Sequence, residues 1–291
     1  MSKLHDIPIV TVGPGSQPTE GDGAELEYID LPHEITTFQR PDIPEPEEVE
    51  DLQGAREAME WLKQALASYE PGAEPLIANL AALDEANLDL VNQIMGDGEV
   101  SVSYSGVVRA RMQESVLAGV WRTFYVDADD KLLHDLIEVA DVPYLVRLPA
   151  HQTPPRSRPL TEAKAPPDVM NAMAILAELE EQRHRVAAGD EAHVINLTLL
   201  PLSPADVAFL EQTLGRGPVD LLSRGYGSCR VSSTAIPNIW WVRFFNSMNK
   251  LILDTIEVVD VPQVARAASE DIADSRQRLN DILEPYWKQM A

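Results

Sequence analysis

The chain has 291 residues, 45% of them hydrophobic, with 47 acidic against 23 basic side chains and a formal charge of −24. That length suits one large domain or two ordinary ones, and the apolar fraction suffices for a core. The charge repels phosphate backbones and anionic membrane surfaces, which argues against nucleic acid and favours basic segments of other proteins.

Residues 1–50 hold twelve acidic residues, two basic ones and seven prolines. Like charges repel and proline breaks regular structure, so an acidic, Pro-rich, extended N-terminal segment is expected. It begins MSKLHDIPIV, without the long apolar run of a signal peptide. IPIVTV (7–12) alternates like an edge strand, and PDIPEPEE (41–48) reads as polyproline II leading into a helix. No stretch approaches the roughly 18 apolar residues of a membrane helix, so the expectation is a cytoplasmic protein with no membrane insertion.

From residue 51 the periodicity turns helical, with Leu52, Ala55, Met59, Leu62, Leu66 and Tyr69 at three- and four-residue steps. A second helix fits 84–95, with Gly96 as its stop. Four strands follow, at 99–105, 107–115, 116–126 and 131–140, as an antiparallel meander. The stretch 149–167 carries six prolines and reads as a linker. The pattern then restarts: a helix over 168–187, a strand over 193–200, a helix capped by Ser203 over 203–214, and four strands between Val219 and Val259. A final helix is expected over 263–283.

The restart is a repeat. Aligned without gaps at an offset of 119, residues 83–143 and 202–262 share eighteen of 61 identities. The pairs include Gly96/Gly215, Gly98/Gly217, Trp121/Trp240, Lys131/Lys250, Asp141/Asp260 and Pro143/Pro262. KLLHDLIEVADVP (131–143) is nearly rewritten as KLILDTIEVVDVP (250–262). The reading is α+β: two tandem, sequence-similar units, each with helices on a mostly antiparallel sheet, related by a pseudo-twofold. Residues 51–148 form the first unit and 168–291 the second, with its C-terminal helix.

Carboxylates are the first candidates for chemistry. Asp135 and Glu138, and their counterparts Asp254 and Glu257, stand in apolar strands. Residues three apart on a strand face opposite ways, so neither pair forms a side-by-side acid and base. Arg111 and Arg230 are also duplicated and are expected to neutralise these carboxylates across the sheet. All six read as structural. The six histidines show no ligand spacing, and no nucleophile elbow or phosphate loop occurs. Cys229 is the single cysteine, which excludes an internal disulfide framework, suits a reducing compartment, and is expected to be a buried strand residue. No catalytic residue, metal or cofactor is predicted.

The most unusual text is IPNIWWVRFFNSMNKLI (236–252). Alternation puts Trp240, Val242 and Phe244 on one face and Trp241, Arg243 and Phe245 on the other. One face fills a core; the second either lies between the two units or meets a partner. Trp and Arg are enriched at binding hot spots, so Trp240, Trp241, Arg243, Phe245, Asn246 and Met248 are the candidate partner-binding residues.

ESVLAGVWRTFY (114–125), the stretch 233–275, IPIVTVGPGSQ (7–17) and PDIPEP (41–46) closely resemble the HupH/HyaF family of hydrogenase expression/formation proteins. The resemblance spans nearly the whole chain and is most specific in the second repeat. It implies a non-catalytic helper or chaperone for maturation of [NiFe] uptake hydrogenases, associated with the iron–sulfur small subunit. It supplies no catalytic residues; residues 240–261 are the region it marks. The small-subunit precursor carries a twin-arginine export signal, a basic segment of the kind the charge favours. Two other readings remain open: a cofactor- or metal-handling factor using carboxylates such as Glu138 and Glu257, and a scaffold linking several maturation proteins through the N-terminal segment.

Overall fold

The computed structural model describes residues 49, 51–148, 159–186, 191–225 and 227–287. The acidic N-terminal segment, apart from Val49, and most of the expected linker lie outside them. The first half runs α1 (Gln53–Ser68), β1 (Leu76–Asn79), α2 (Glu85–Met95), β2 (Val100–Ser105), β3 (Arg109–Glu114), β4 (Val120–Val126), β5 (Leu132–Val139) and α3 (Tyr144–Arg147). The second runs α4 (Ala172–Gln182), β6 (His193–Asn196), α5 (Pro204–Leu214), β7 (Arg216–Gly225), β8 (Gly227–Thr234), β9 (Ile239–Phe245), β10 (Leu251–Val258) and α6 (Ser269–Trp287).

All ten strands join one antiparallel sheet in the order β1-β5-β4-β3-β2-β7-β8-β9-β10-β6. The two meanders meet where β2 pairs with β7, Val102 opposite Leu221. β4 and β9, like β5 and β10, begin 119 residues apart, and so do α1 and α4. The expected α+β architecture is present. The sheet is continuous across the two halves.

Each first helix borrows its cap from the second. α1 has no side-chain N-cap of its own, and Asn87 of α2 accepts the Ala55 amide at 2.7 Å. At the matching place in α5, Asp206 accepts the amides of Met170, Asn171 and Ala172 at 2.8–3.0 Å. Burial works against the Asp206 charge, but these amides and Ser203 outweigh it and hold the carboxyl well below its ordinary range. Helix α4 therefore starts at Ala172, not at 168. Two other elements differ from expectation. β6 stops at Asn196 because Leu197 turns into the core in a 3-10 turn (Leu197–Leu199). The last helix starts at Ser269 because Arg266, extended after a 3-10 turn (Gln263–Ala265), is held by Asp141 and Asp260. Strand β1, four residues long, is too short to show an alternation and is invisible in the sequence.

Three buried clusters hold these layers. Met59, Leu62 and Leu66 of α1 pack with Leu90 and Ile94 of α2, and with Ile272 and Leu279 of α6, over Val120 and Ile137. Leu176 and Leu210 of α4 and α5 pack over Ile239, Trp241 and Ile256. The opposite face joins both halves through Trp121, Trp240, Val102 and Leu221. Leu160, inside the expected linker, is buried against α4.

Candidate partner-binding site

Trp240 and Trp241 stand on opposite faces of β9, and both are buried, at 2% and 7% exposure. Trp240 donates its indole N–H to the carbonyls of Val259 and Asp260 at 3.2 and 3.1 Å. Trp121 makes the same bond to the Ala140 carbonyl at 3.0 Å. These two indoles clamp each half's last strand to its neighbour.

Trp241 lies under the helices, and its N–H reaches Asp254 at 2.5 Å. Arg243 stacks over its ring at 4.4 Å, approaches Asp254 at 3.4 Å, and pairs with Glu211 of α5 at 2.6 Å. In the first half Arg122 occupies the place of Trp241, pairs with both oxygens of Asp135, bonds Asn92 of α2 at 3.0 Å, and lies over Phe124 at 5.3 Å. The arginine and the ring have exchanged places, two residues apart on one strand face. Both arrangements satisfy the duplicated aspartate and tie the sheet to α2 or α5. Burial pushes the Asp254 carboxyl up, with Arg243 and Trp241 opposing.

The duplicated arginines do other work than expected. Arg111 pairs with exposed Asp130 at 3.3 Å, and Arg230 with Asp220. In register, Phe124 separates Arg111 from Asp135, and Arg243 separates Arg230 from Asp254. The intervening strand fills the gap, and each carboxylate is taken by a nearer arginine, Asp135 by Arg122 and Asp254 by Arg243. Glu138 is fully buried on the opposite face from Asp135, accepting from the Thr123 hydroxyl and the Tyr144 amide. Burial raises its pKa and that of Glu257. Cys229 is buried, and its thiol is pushed up to about 12. Among the described residues, no group of three or more His, Cys, Asp or Glu is placed to hold a metal ion.

The two halves are also locked together. Arg147 pairs with Asp141, and its counterpart Arg266 pairs with Asp260 at 2.9 Å and crosses to Asp141 at 3.0 Å. Tyr69 donates to the same carboxylate at 2.7 Å. Burial opposes the Asp141 charge, but these donors prevail and its pKa is lowered.

Of the six candidate residues, those that reach the surface lie at or near the tip of the β9–β10 hairpin. Phe245, Asn246 and Arg243 are half-buried, while Met248 is 80% exposed. Asn246 shapes the turn: its side-chain oxygen accepts the amides of Met248 and Lys250 at 2.9 and 3.0 Å. Leu251 and Ile252, outside the predicted set, are exposed beside it. The register shifts there, Phe245 facing Leu251 and Phe244 facing Leu253, so Ile252 is an extra residue. A strict alternation assumed from sequence hides that bulge.

The family described as "HupH hydrogenase expression protein, C-terminal conserved region" matches residues 52–158 and again 169–286. The chain belongs to this HupH family. It is 44% identical to the hydrogenase expression/formation protein HupQ of Azotobacter chroococcum mcd 1, over 94% of this chain and 95% of that protein. It is 42% identical to HoxQ of Cupriavidus necator, over 96% of each. The hydrogenase-1 operon protein HyaF of Escherichia coli (strain K12) is 28% identical over 94% of each. A solved HupH from Thiobacillus denitrificans ATCC 25259 shares 32% identity with a TM-score of 0.37, over 39% of this chain and 95% of that one. No helix of the described residues is long and apolar enough to cross a membrane.

Proposed function

We propose that this HupH-family chain is a non-catalytic accessory protein for maturation of a [NiFe] uptake hydrogenase, acting in the cytoplasm on the iron–sulfur small-subunit precursor. The observation that carries this reading is the double family match, together with relatives named as hydrogenase expression/formation proteins along nearly their whole length. The chemistry of the surface is consistent with it. A chain of charge −24 attracts a basic segment, and the β9–β10 tip adds apolar contact through Met248, Leu251 and Ile252. In the same reading the halves are tandem copies about a pseudo-twofold axis between β2 and β7, supported by a strand order that is the same from either edge. Residues 1–50 then form an acidic arm and 149–167 the connection between copies.

The test is affinity capture with the tagged full chain from hydrogenase-producing cells, washed at low and at high salt. Enrichment of the small-subunit precursor, lost at high salt, is the expected result. Enrichment of the large subunit or of metal-insertion factors replaces this reading with the cofactor-handling or scaffold one. Capture insensitive to salt removes the electrostatic part.

A further inference from the structure

We infer that the outer edge of β10 at Leu251–Leu253 is a docking ledge, which takes an extended neutral-to-basic polypeptide segment as an additional strand. β10 has eight residues, but β6 pairs only with Thr255–Val258. The first three residues of β10 therefore have β9 on one side and, among the described residues, no strand on the other. Natural sheets blunt such edges with short length, charge, proline, a bulge or a cover; here the open part is three residues with a bulge at Ile252, Lys250 precedes it, and its side chains are apolar. This one carries Leu251 and Ile252, the latter 56% exposed at the bulge. The Thr198 hydroxyl accepts the Asp254 amide at 2.8 Å and marks where the covered part begins, with exposed Leu199 next to it. Met248 closes the other end.

The first half repeats the arrangement. β1 covers only Leu136–Val139 of β5, and Leu132 and Leu133 stand exposed at a matching bulge. Core packing accounts for neither pair, since both are outside it. The turns differ: Asp127, Asp129 and Asp130 in the first, Asn246, Met248 and Asn249 in the second. The β10 ledge has thus lost three carboxylates and gained a thioether, which suits apolar contact. A second copy would bring −24 against −24 and is repelled. A neutral or basic segment with alternating apolar side chains is not. Its main chain completes the ladder, and its side chains meet Leu251 and Ile252.

The ledge deepens the accessory reading, since a helper of maturation meets chains that are still extended. Its test uses no hydrogenase, so the two fail separately. The probe is a labelled synthetic peptide, Lys-Val-Thr-Val-Thr-Val-Thr-Val-Lys, titrated into the full chain by fluorescence anisotropy, with amide hydrogen exchange read on the complex. Slower exchange at Leu251–Leu253 is expected. Ile252→Lys is expected to weaken binding by about tenfold or more, and Met248→Lys by less. Val107→Lys, at an exposed residue of the β2–β3 turn, is expected to leave it unchanged. Unprotected ledge amides, or equal weakening by Val107→Lys, overturn the inference. So does a concentration-dependent dimer in sedimentation that Ile252→Lys abolishes, because a second copy is then the occupant.

Discussion

Both halves set an arginine and an aromatic ring over the same buried aspartate, in opposite order. The first uses Arg122 and Phe124 over Asp135; the second uses Trp241 and Arg243 over Asp254. Residues two apart on a strand share a face, and a guanidinium reaches the carboxylate from either place. What the two halves share is therefore a set of contacts, sheet carboxylate to second helix, and not a set of residues. The borrowed helix caps teach the same thing, with Asn87 in one half and Asp206 in the other. So do the hairpin turns, where Asp127 and Asn246 each offer one oxygen to two amides.

The largest test of this equivalence is removal of the indole clamps. Trp121→Ala and Trp240→Ala are each expected to cost about 3–5 kcal/mol in urea unfolding. Both rings are fully buried and make the same bond, so similar losses are the outcome. A loss confined to one half would break the comparison. The aspartates should then separate the halves. Asp135→Asn leaves Arg122 buried without its countercharge and is expected to cost about 3 kcal/mol. Asp254→Asn keeps an oxygen for the Trp241 N–H, and Arg243 keeps Glu211, so about 1 kcal/mol is expected. The order of the two midpoints checks this.

Much of the fold was legible. Eight of the ten strands are the two meanders that the 119-residue repeat and its alternation placed. The misses have a common cause in tertiary contacts. β1 and the start of α4 are defined by β5 and Asp206, far off in sequence. The site was less legible. Alternation put Trp240 and Trp241 on opposite faces of one strand, one in a core and the other between the units or against a partner; both indoles are buried, each in its own cluster. Leu251 and Ile252, exposed next to the candidate residues, sit at a bulge, and alternation from the core strands wrongly continues through it.

A smaller difference lies in pH response. Glu114, which Ser233 replaces in the second half, accepts the Gly119 amide beneath α6. Burial pushes its carboxyl from 4.5 up to about 7, with Asp271 and Glu99 adding repulsion and the Gly119 amide opposing. A raised folded-state pKa gives stability that is full below the ordinary carboxyl value and lost as pH rises through about 7. Glu114→Gln keeps an acceptor for Gly119 without the charge. It is expected to stabilise by on the order of 1 kcal/mol at pH 8 and to change nothing near pH 4. Thermal unfolding across that range measures it; parallel profiles for the two proteins would remove Glu114 as the cause.

The smallest effect on folding should accompany the sharpest effect on binding. Met248→Asp with Asn249→Asp brings two of the first turn's three carboxylates onto the second. The turn itself should tolerate this. Asn246 still holds its two amides, and Asp130 already occupies the left-handed conformation of Asn249, φ 61° against 56°. Stability is expected to stay within about 0.5 kcal/mol. Capture of the partner should fall, because the apolar end of the β10 ledge now carries two carboxylates. The reciprocal variant, Asp129→Met, removes a charge beside Leu132 and Leu133 and should raise capture by the first hairpin. If the client instead binds more tightly to the Met248→Asp, Asn249→Asp variant, charge and not apolar contact governs that tip. The two hairpins would then differ in the strength of one interaction and not in its kind.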